Sequence, residues 1–153
     1  MKIVLASHNL GKLKEFKDIL EPLGYELLAA DSLGVNVEDV IEDGETFAEN
    51  ALKKAKYVYE KVHLPVISDD SGLVLKAYPE LLSVHSARYM ADKPYSEKMK
   101  SILSLYDELS DRAAYFQSVL VYYDEKPHYF EGRIDGTIAH TIKGQEGFGY
   151  DPI

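Results

Sequence analysis

The amino-terminal part of the chain constrains its fold most. Ile3 to Ala6 form a continuous apolar run, the pattern of a strand that is buried on both faces. A polar turn follows, and apolar residues then recur at helical spacing with charged residues on the opposite face. Pro22 and Gly24 end that helix, and Tyr25 to Ala29 predict a second strand. This order of strand, turn, helix and strand indicates an α/β fold.

The middle of the chain continues the alternation of helix and strand. Thr46 and Glu49 form a T-x-x-E capping box that begins a second helix, and Pro65 ends it. The apolar pattern then predicts a short strand that begins with Val66-Ile67-Ser68, and it resumes at Leu73-Val74-Leu75. We expect the Asp-Asp-Ser-Gly run at 69–72 to interrupt that strand.

The last part of the chain predicts mostly strands. Ser96 is a candidate N-cap for a third helix. Residues 113–123 are rich in strand formers, 128–133 pair back as a hairpin, and 136–142 predict a further strand. No repeat, linker or low-complexity tract separates these elements. We therefore expect a single domain over residues 1–153.

Composition excludes several classes of function. The 153 residues carry a formal net charge of -9, which disfavours nonspecific binding to DNA, RNA or anionic lipid because the field repels phosphate. A small phosphorylated ligand that arrives as a metal complex is not excluded. The lack of Cys removes disulfides, thiolate metal sites and Cys nucleophiles. No apolar run approaches the ~20 residues of a membrane span, and the apolar start is too short for a signal peptide, so we expect a soluble, cytoplasmic protein.

The polar turn from Ser7 to Lys12 is a candidate anion site. It lies at the N-terminus of the first helix, where N–H groups and the helix dipole attract negative charge. Ser7 and Asn9 could donate to phosphate oxygens, Gly11 allows close approach, and Lys12 supplies a positive charge. Taken alone, the turn is more typical of a plain connection with Ser or Asn as N-cap, because it lacks the G-x-x-x-x-G-K-[ST] pattern.

Acidic residues are concentrated between 31 and 50, where no Lys or Arg occurs, ahead of a helix rich in Lys. A solvated loop with a capping box explains part of this pattern. Mg²⁺, however, prefers one or two carboxylates and keeps several waters. Glu42 is therefore a candidate metal ligand.

Asp69 and Asp70 are adjacent carboxylates that follow a buried apolar run. Such groups are costly at a buried strand end unless they are paired or bound to metal. Two tandem Asp residues suit a metal ligand together with a base for water. An Asx-type turn at the end of a strand is an equally good interpretation of the same residues.

The Gly-rich segment 144–151 is a candidate for binding a flat ligand such as a nucleobase, because its glycines surround Phe148 and Tyr150. A hairpin or bulge with core aromatics is the better interpretation when this segment is taken alone. The five His residues show no metal-ligand spacing, and no G-x-S-x-G elbow supports a Ser hydrolase.

Taken together and in this order, the segments resemble the inosine triphosphate pyrophosphatase family. The resemblance spans the whole chain and is far more specific than any one segment. The matching residues are Ser7-His8-Asn9-Leu10-Gly11-Lys12 with Glu15; Glu42, Gly44, Thr46, Phe47, Glu49, Asn50, Ala51, Lys54 and Ala55; Asp69-Asp70-Ser71-Gly72-Leu73; Ser86-Ala87-Arg88-Tyr89; and Gly147-Phe148-Gly149-Tyr150-Asp151-Pro152.

The resemblance implies a fold, a reaction and an assembly. The fold would be an elongated α/β structure with a long mixed sheet flanked by helices in two lobes. The reaction would be Mg²⁺-dependent hydrolysis of ITP, dITP or XTP to the nucleoside monophosphate and pyrophosphate, which cleanses the nucleotide pool of deaminated purines. Members of this family usually act as homodimers.

The resemblance also implies roles for individual residues. Asp70 would be the catalytic carboxylate and a metal ligand, with Asp69 beside it, and Glu42 would bind the metal. The other implied substrate contacts are Ser7, His8, Asn9, Leu10, Gly11 and Lys12 in the triphosphate turn; Lys54 near the phosphates; Ser71; and Phe148, Gly149, Tyr150 and Asp151 in the loop against which the purine packs. These roles require that Lys12 and Asp70 line one cleft.

The sequence departs from the family pattern in two places. The stretch before Ser-Ala-Arg lacks the usual glycine and reads Pro79 to His85. The family also continues some tens of residues past the Asp-Pro pair, with a Lys and a Ser-His-Arg run that read the 6-oxo edge of the purine. We therefore expect this sequence to be part of a longer chain. A pyrophosphatase for other modified nucleotides and a nucleotide-binding module without turnover are the alternatives.

Overall fold

The helices and strands alternate along the chain as an α/β protein requires. A computed structural model describes residues 1–85, 89–144 and 149–153. Within these ranges the helices are α1 (Leu10–Leu20), α2 (Phe47–Val62) and α3 (Tyr95–Tyr106), and the strands are β1 (Lys2–Leu5), β2 (Glu26–Ala29), β3 (Val66–Leu75), β4 (Ala113–Asp124) and β5 (Lys126–Thr137). None of these helices has the length and apolar character that crossing a bilayer needs.

The five strands form one sheet in the order β2-β1-β3-β4-β5. β1 is parallel to both of its neighbours, with Val4 opposite Leu28 of β2 and Leu5 opposite Ile67 of β3. β4 and β5 are adjacent strands separated only by Glu125. They are therefore antiparallel, because a parallel connection needs a crossover of about a dozen residues or more. The sheet is thus mixed, and the α/β fold class predicted from the sequence is confirmed.

The contacts divide the chain into two compact units. The first comprises Met1–Asp70 and Ser118–Glu131, and the second comprises Ser71–Gln117 and Gly132–Ile153. Strands β3, β4 and β5 each contribute residues to both units.

In the first unit, helices α1 and α2 pack on opposite faces of β1. Val4 and Ala6 cluster with the buried residues of α2, whereas Ile3 and Leu5 cluster with the apolar side of α1. Successive side chains of a strand point to opposite faces, so the continuous apolar run of β1 is what two-sided burial requires. The α2 helix begins as predicted, with Thr46 Oγ1 accepting from the N–H of Glu49 at 3.1 Å.

In the second unit, α3 packs on the second half of β3. Met99, Ile102 and Tyr106 of α3 cluster with Leu73 and Leu75. The candidate site residues Asp69 and Asp70, in the first half of β3, belong to the first unit.

Two predicted boundaries were wrong. The Asp-Asp-Ser-Gly run does not interrupt β3, which is continuous from Val66 to Leu75. The helix α3 begins at Tyr95 with Pro94 as its N-cap, and Ser96 lies inside it. Pro fits there because it needs no backbone N–H at the start of a helix.

The predicted strand over 136–142 was also wrong beyond Thr137, where β5 ends. The backbone groups of Ile138 and Ala139 form hydrogen bonds with Arg112 instead of with a strand. The N–H of Ile138 donates to Arg112 O at 2.8 Å, and the Arg112 guanidinium donates to the carbonyls of Ile138 and Ala139. These groups are satisfied without a neighbouring strand.

Candidate active site

The parallel arrangement of β1 and β3 brings two predicted segments to one edge of the sheet. The register pairs Leu5 with Ile67, so the turn after β1 and the Asp pair of β3 both lie just beyond it. The amino-terminal turns of α2 complete the site with Asn50 and Lys54. All of these residues belong to the first unit.

The turn after β1 is an N-capped helix start. Asn9 is the N-cap of α1, and its Oδ1 accepts from the N–H groups of Gly11 at 2.9 Å and Lys12 at 3.2 Å. Ser7 Oγ accepts from the N–H of Asn9 at 3.1 Å. The N-cap interpretation thus describes Asn9 correctly. The donors that this turn can offer a ligand are the Ser7 hydroxyl, the Asn9 side-chain amide and the Lys12 ammonium.

The other two residues of the turn are exposed. Leu10 is one of the most exposed apolar side chains of the described residues. His8 is also exposed, and its Nε2 lies 3.7 Å from Glu38 Oε1. The substrate contacts of His8 and Leu10 stay predictions.

Lys12 and Lys54 meet at Asp69 from different helices. Lys12 Nζ lies 3.1 Å from Asp69 Oδ2. Lys54 is only 7% exposed, and its Nζ donates to the backbone carbonyl of Asp69 at 2.6 Å and lies 3.0 Å from Glu42 Oε1. Asp69 is 4% exposed, and its Oδ1 has no hydrogen-bond partner among the described residues. Asp69 thereby holds two ammonium groups at one place, Lys12 through its carboxylate and Lys54 through its backbone carbonyl.

Asp70 has a different environment from Asp69. Its Oδ2 accepts from Asn50 Nδ2 at 3.1 Å. The pKa of Asp70 is raised from 3.8 to about 6, mainly by burial and also by the nearby Glu42 charge, which together outweigh the lowering effects of Lys54, the Asn50 hydrogen bond and Lys12. A carboxyl group that titrates close to neutrality suits proton transfer, whereas Asp69 is held in contact with Lys12.

This pKa predicts how Asp70 affects stability. Because the folded pKa lies above 3.8, the unfolded chain ionises first, so the free energy of unfolding falls as the pH rises from about 4 to about 6; the cost is complete above about 6 and absent below about 4. We expect Asp70→Asn to raise the free energy of unfolding by about 1–3 kcal/mol at pH 7.5 and by almost nothing at pH 4. Urea unfolding in EDTA at both pH values measures this. A variant with the same stability difference at both would contradict it.

The carboxylates of the candidate site suit a magnesium ion. No group of three or more His, Cys, Asp and Glu side chains gathers as a metal cluster within the described ranges. Mg²⁺ does not need one, because one or two carboxylates with substrate phosphates and water suffice. Glu42 and Asp70 are the candidate ligands, because the Glu42 charge raises the pKa of Asp70 and the same Lys54 that contacts Glu42 lowers it. Their mutual repulsion is what a bound cation relieves.

The remaining predicted contacts lie in the second unit. Ser71 follows Asp70 in β3 and is partly buried. Tyr150 is a buried core residue whose ring lies 5.1 Å from that of Tyr95, edge to face. Tyr150 therefore agrees with the interpretation in which aromatic residues of the Gly-rich segment belong to the core. Gly149 and Asp151 flank Tyr150, whereas Phe148, Gly147 and the run Ser86 to Arg88 lie outside the described residues.

The sequence pattern did not predict that Asn50 contacts Asp70. This side chain is 1% exposed and occupies the buried face of α2 with Phe47, Ala51 and Lys54. A polar residue within an apolar stripe was the available signal, because a buried amide needs hydrogen-bond partners. Asp70 is distant from Asn50 in the sequence, and Gly44 lies in the loop before α2, so the local pattern indicates neither contact.

The fold and site define an α/β protein with a carboxylate and lysine cluster at the carboxyl edge of parallel strands. Residues 3–153 match the model of the Ham1 family, and the chain belongs to this family. It is 42% identical over 161 residues to the dITP/XTP pyrophosphatase of Haemophilus influenzae, an alignment that covers 99% of this chain and 80% of that protein. For the dITP/XTP pyrophosphatase of Bacillus subtilis the identity is 40% over 155 residues, covering 98% and 78%.

Solved structures agree with this assignment. A HAM1 protein from Coxiella burnetii superimposes with a TM-score of 0.88 at 35% identity, covering 100% of this chain and 80% of that chain. The Staphylococcus aureus Ham1 protein gives a TM-score of 0.83 at 35% identity, with the same coverage of 100% and 80%. The family resemblance predicted from the sequence is confirmed.

Proposed function

We propose that this protein hydrolyses the nonstandard purine nucleoside triphosphates ITP, dITP and XTP to the nucleoside monophosphate and pyrophosphate, and so removes them from the nucleotide pool. The observation that carries this proposal is the meeting of Lys12 and Lys54 at Asp69, where Lys54 also contacts Glu42 and both lysine charges act on Asp70. The relatives named dITP/XTP pyrophosphatase support the choice of substrate.

The lysines explain how a chain of net charge -9 receives a triphosphate. A triphosphate carries about four negative charges, so the site needs local positive charge and a divalent cation. Lys12 and Lys54 are held in place by Asp69, and they provide that charge beside the α1 N-terminus. When bound, Mg²⁺ would neutralise and orient the phosphate oxygens, with Glu42 and Asp70 as its protein ligands.

Asp70 is the residue suited to act on water. It accepts a proton from a water that is lined up on the α-phosphorus, and the water oxygen forms the new bond to that phosphorus. The bond from the α-phosphorus to the bridging oxygen breaks, and pyrophosphate leaves. Asp69 instead keeps Lys12 and Lys54 in position, since its carboxylate contacts one lysine and its carbonyl the other.

A substrate panel tests this function. Pyrophosphate release is measured for ITP, XTP, dUTP, GTP and ATP, with Mg²⁺ and with EDTA. We expect a strong but incomplete preference for ITP and XTP over GTP, about tenfold or more in rate, and GTP should still be hydrolysed because selection against its amino group rests on few hydrogen bonds. EDTA should abolish release.

Each alternative gives a different result in that panel. Faster release from dUTP than from ITP indicates a pyrophosphatase for other modified nucleotides. Binding of ITP by calorimetry without any release indicates a module without turnover. The family resemblance also implies a homodimer, which sedimentation velocity tests on the same preparation.

A further inference from the structure

Asn50 joins two parts of the candidate site with one side chain. Its Oδ1 accepts from the backbone N–H of Gly44 at 2.8 Å, and its Nδ2 donates to Asp70 Oδ2 at 3.1 Å. The side chain is 1% exposed, so water does not compete for these bonds. The amide therefore connects the loop that carries Glu42 to the carboxylate of β3.

The loop is shaped to allow this contact. A Cβ built on Gly44 would lie 2.6 Å from Asn50 Oδ1 and 2.8 Å from Glu49 Cβ, closer than real Cβ atoms come. Only glycine at this position lets the backbone approach the amide. The same loop is held at its other side by Glu49 Oε2, which accepts from the N–H of Glu45 at 2.8 Å.

We infer that Asn50 is a positioning residue for Asp70. The terminal torsion of an Asp side chain is broad, so packing alone fixes the plane of the carboxylate poorly. The bond from Asn50 Nδ2 holds Oδ2 and sets that plane, which orients the carboxylate toward a water on the α-phosphorus. Gly44 in turn holds the Asn50 amide. This inference rests on the proposed function.

Other side chains at position 50 cannot make both contacts of Asn50. Ala offers neither a donor to Asp70 nor an acceptor to Gly44. Asp has the same shape as Asn and keeps an acceptor for the Gly44 N–H, but when ionised it offers Asp70 no donor and repels it. Asn50→Asp therefore keeps the Gly44 contact and places a second carboxyl group beside Asp70, whereas Asn50→Ala removes both contacts and adds no charge.

The test compares kcat and KM for pyrophosphate release from ITP with Mg²⁺. We expect kcat to fall about 10- to 100-fold in Asn50→Ala and in Asn50→Asp, with KM within about threefold of the wild type, because a misplaced catalytic group costs rate rather than binding. Val58→Ala is the matched control. Val58 is fully buried in the same helix and packs only in the core, so this variant loses stability but keeps kcat once rates are corrected for the folded fraction.

The outcomes separate the inference from the proposed function. If both Asn50 variants keep the kcat of Val58→Ala at equal folded fraction, Asn50 is merely structural and the inference is overturned. A rise in KM at constant kcat also overturns it, because it shows a substrate contact. If Asn50→Ala does not fold, Asn50→Leu takes its place, because Leu fills a similar volume without a donor, an acceptor or a charge. A wild-type protein that releases no pyrophosphate from any triphosphate overturns the proposed function and this inference together.

Discussion

Asp70→Asn is expected to reduce the rate of pyrophosphate release from ITP by about 10²–10⁴-fold, the usual contribution of a general base. The amide has the same shape as the carboxylate and can still accept from Asn50 Nδ2, so the fold is kept. What is lost is the ability to take a proton from water. Steady-state kinetics with Mg²⁺ and circular dichroism measure the two properties on one preparation.

Asp69→Asn is the control for this experiment, because it changes the neighbouring carboxylate by the same single atom. It weakens the contact to Lys12 but leaves Asp70 with its partner. We expect a smaller fall in kcat and a rise in KM, since Lys12 is less well held for the phosphates. Turnover close to normal in Asp70→Asn, or a greater loss of kcat in Asp69→Asn, would assign the base to Asp69 or to another group.

The features that the sequence predicted correctly depend on local patterns. The apolar run of β1, the stripe of α2 and the Thr46 cap are each visible within a few residues, because helix and strand periodicity is a local property. Family motifs then named both lysines and all three carboxylates of the cluster. Gly24, predicted to close the first helix, is the left-handed C-cap of a 3-10 turn over Glu21–Leu23 that directly follows α1.

The features that the sequence did not predict depend on contacts between distant residues. β3 continues through Asp69 and Asp70 because Lys12 and Lys54 meet the first of these residues and Asn50 meets the second. Without those partners a polar run would favour a turn, which is what the local pattern indicated. The role of Asn50 was hidden for the same reason.

The second large effect is the loss of stability that we expect when Lys54 is replaced. Lys54→Met should lower the free energy of unfolding by about 2–4 kcal/mol. The substitution keeps the apolar stem but removes the ammonium group that the Asp69 carbonyl and Glu42 both contact. Its removal leaves the buried Asp69 carbonyl without its donor and the partly exposed Glu42 without its counter-charge, and a buried polar group that loses its partner costs more than the bond contributes. Urea unfolding at pH 7.5 measures the change.

Lys53→Met is the matched control in the next position of the same helix. Lys53 is exposed and pairs with Asp43 at the surface. Such a pair contributes at most about 1 kcal/mol, so this variant should unfold close to the wild type and keep its turnover. If the two variants lose equal stability, the buried contacts of Lys54 are not what stabilises the site. If Lys54→Met is destabilised but keeps its kcat and KM at equal folded fraction, Lys54 fixes Asp69 and Glu42 without contacting the phosphates.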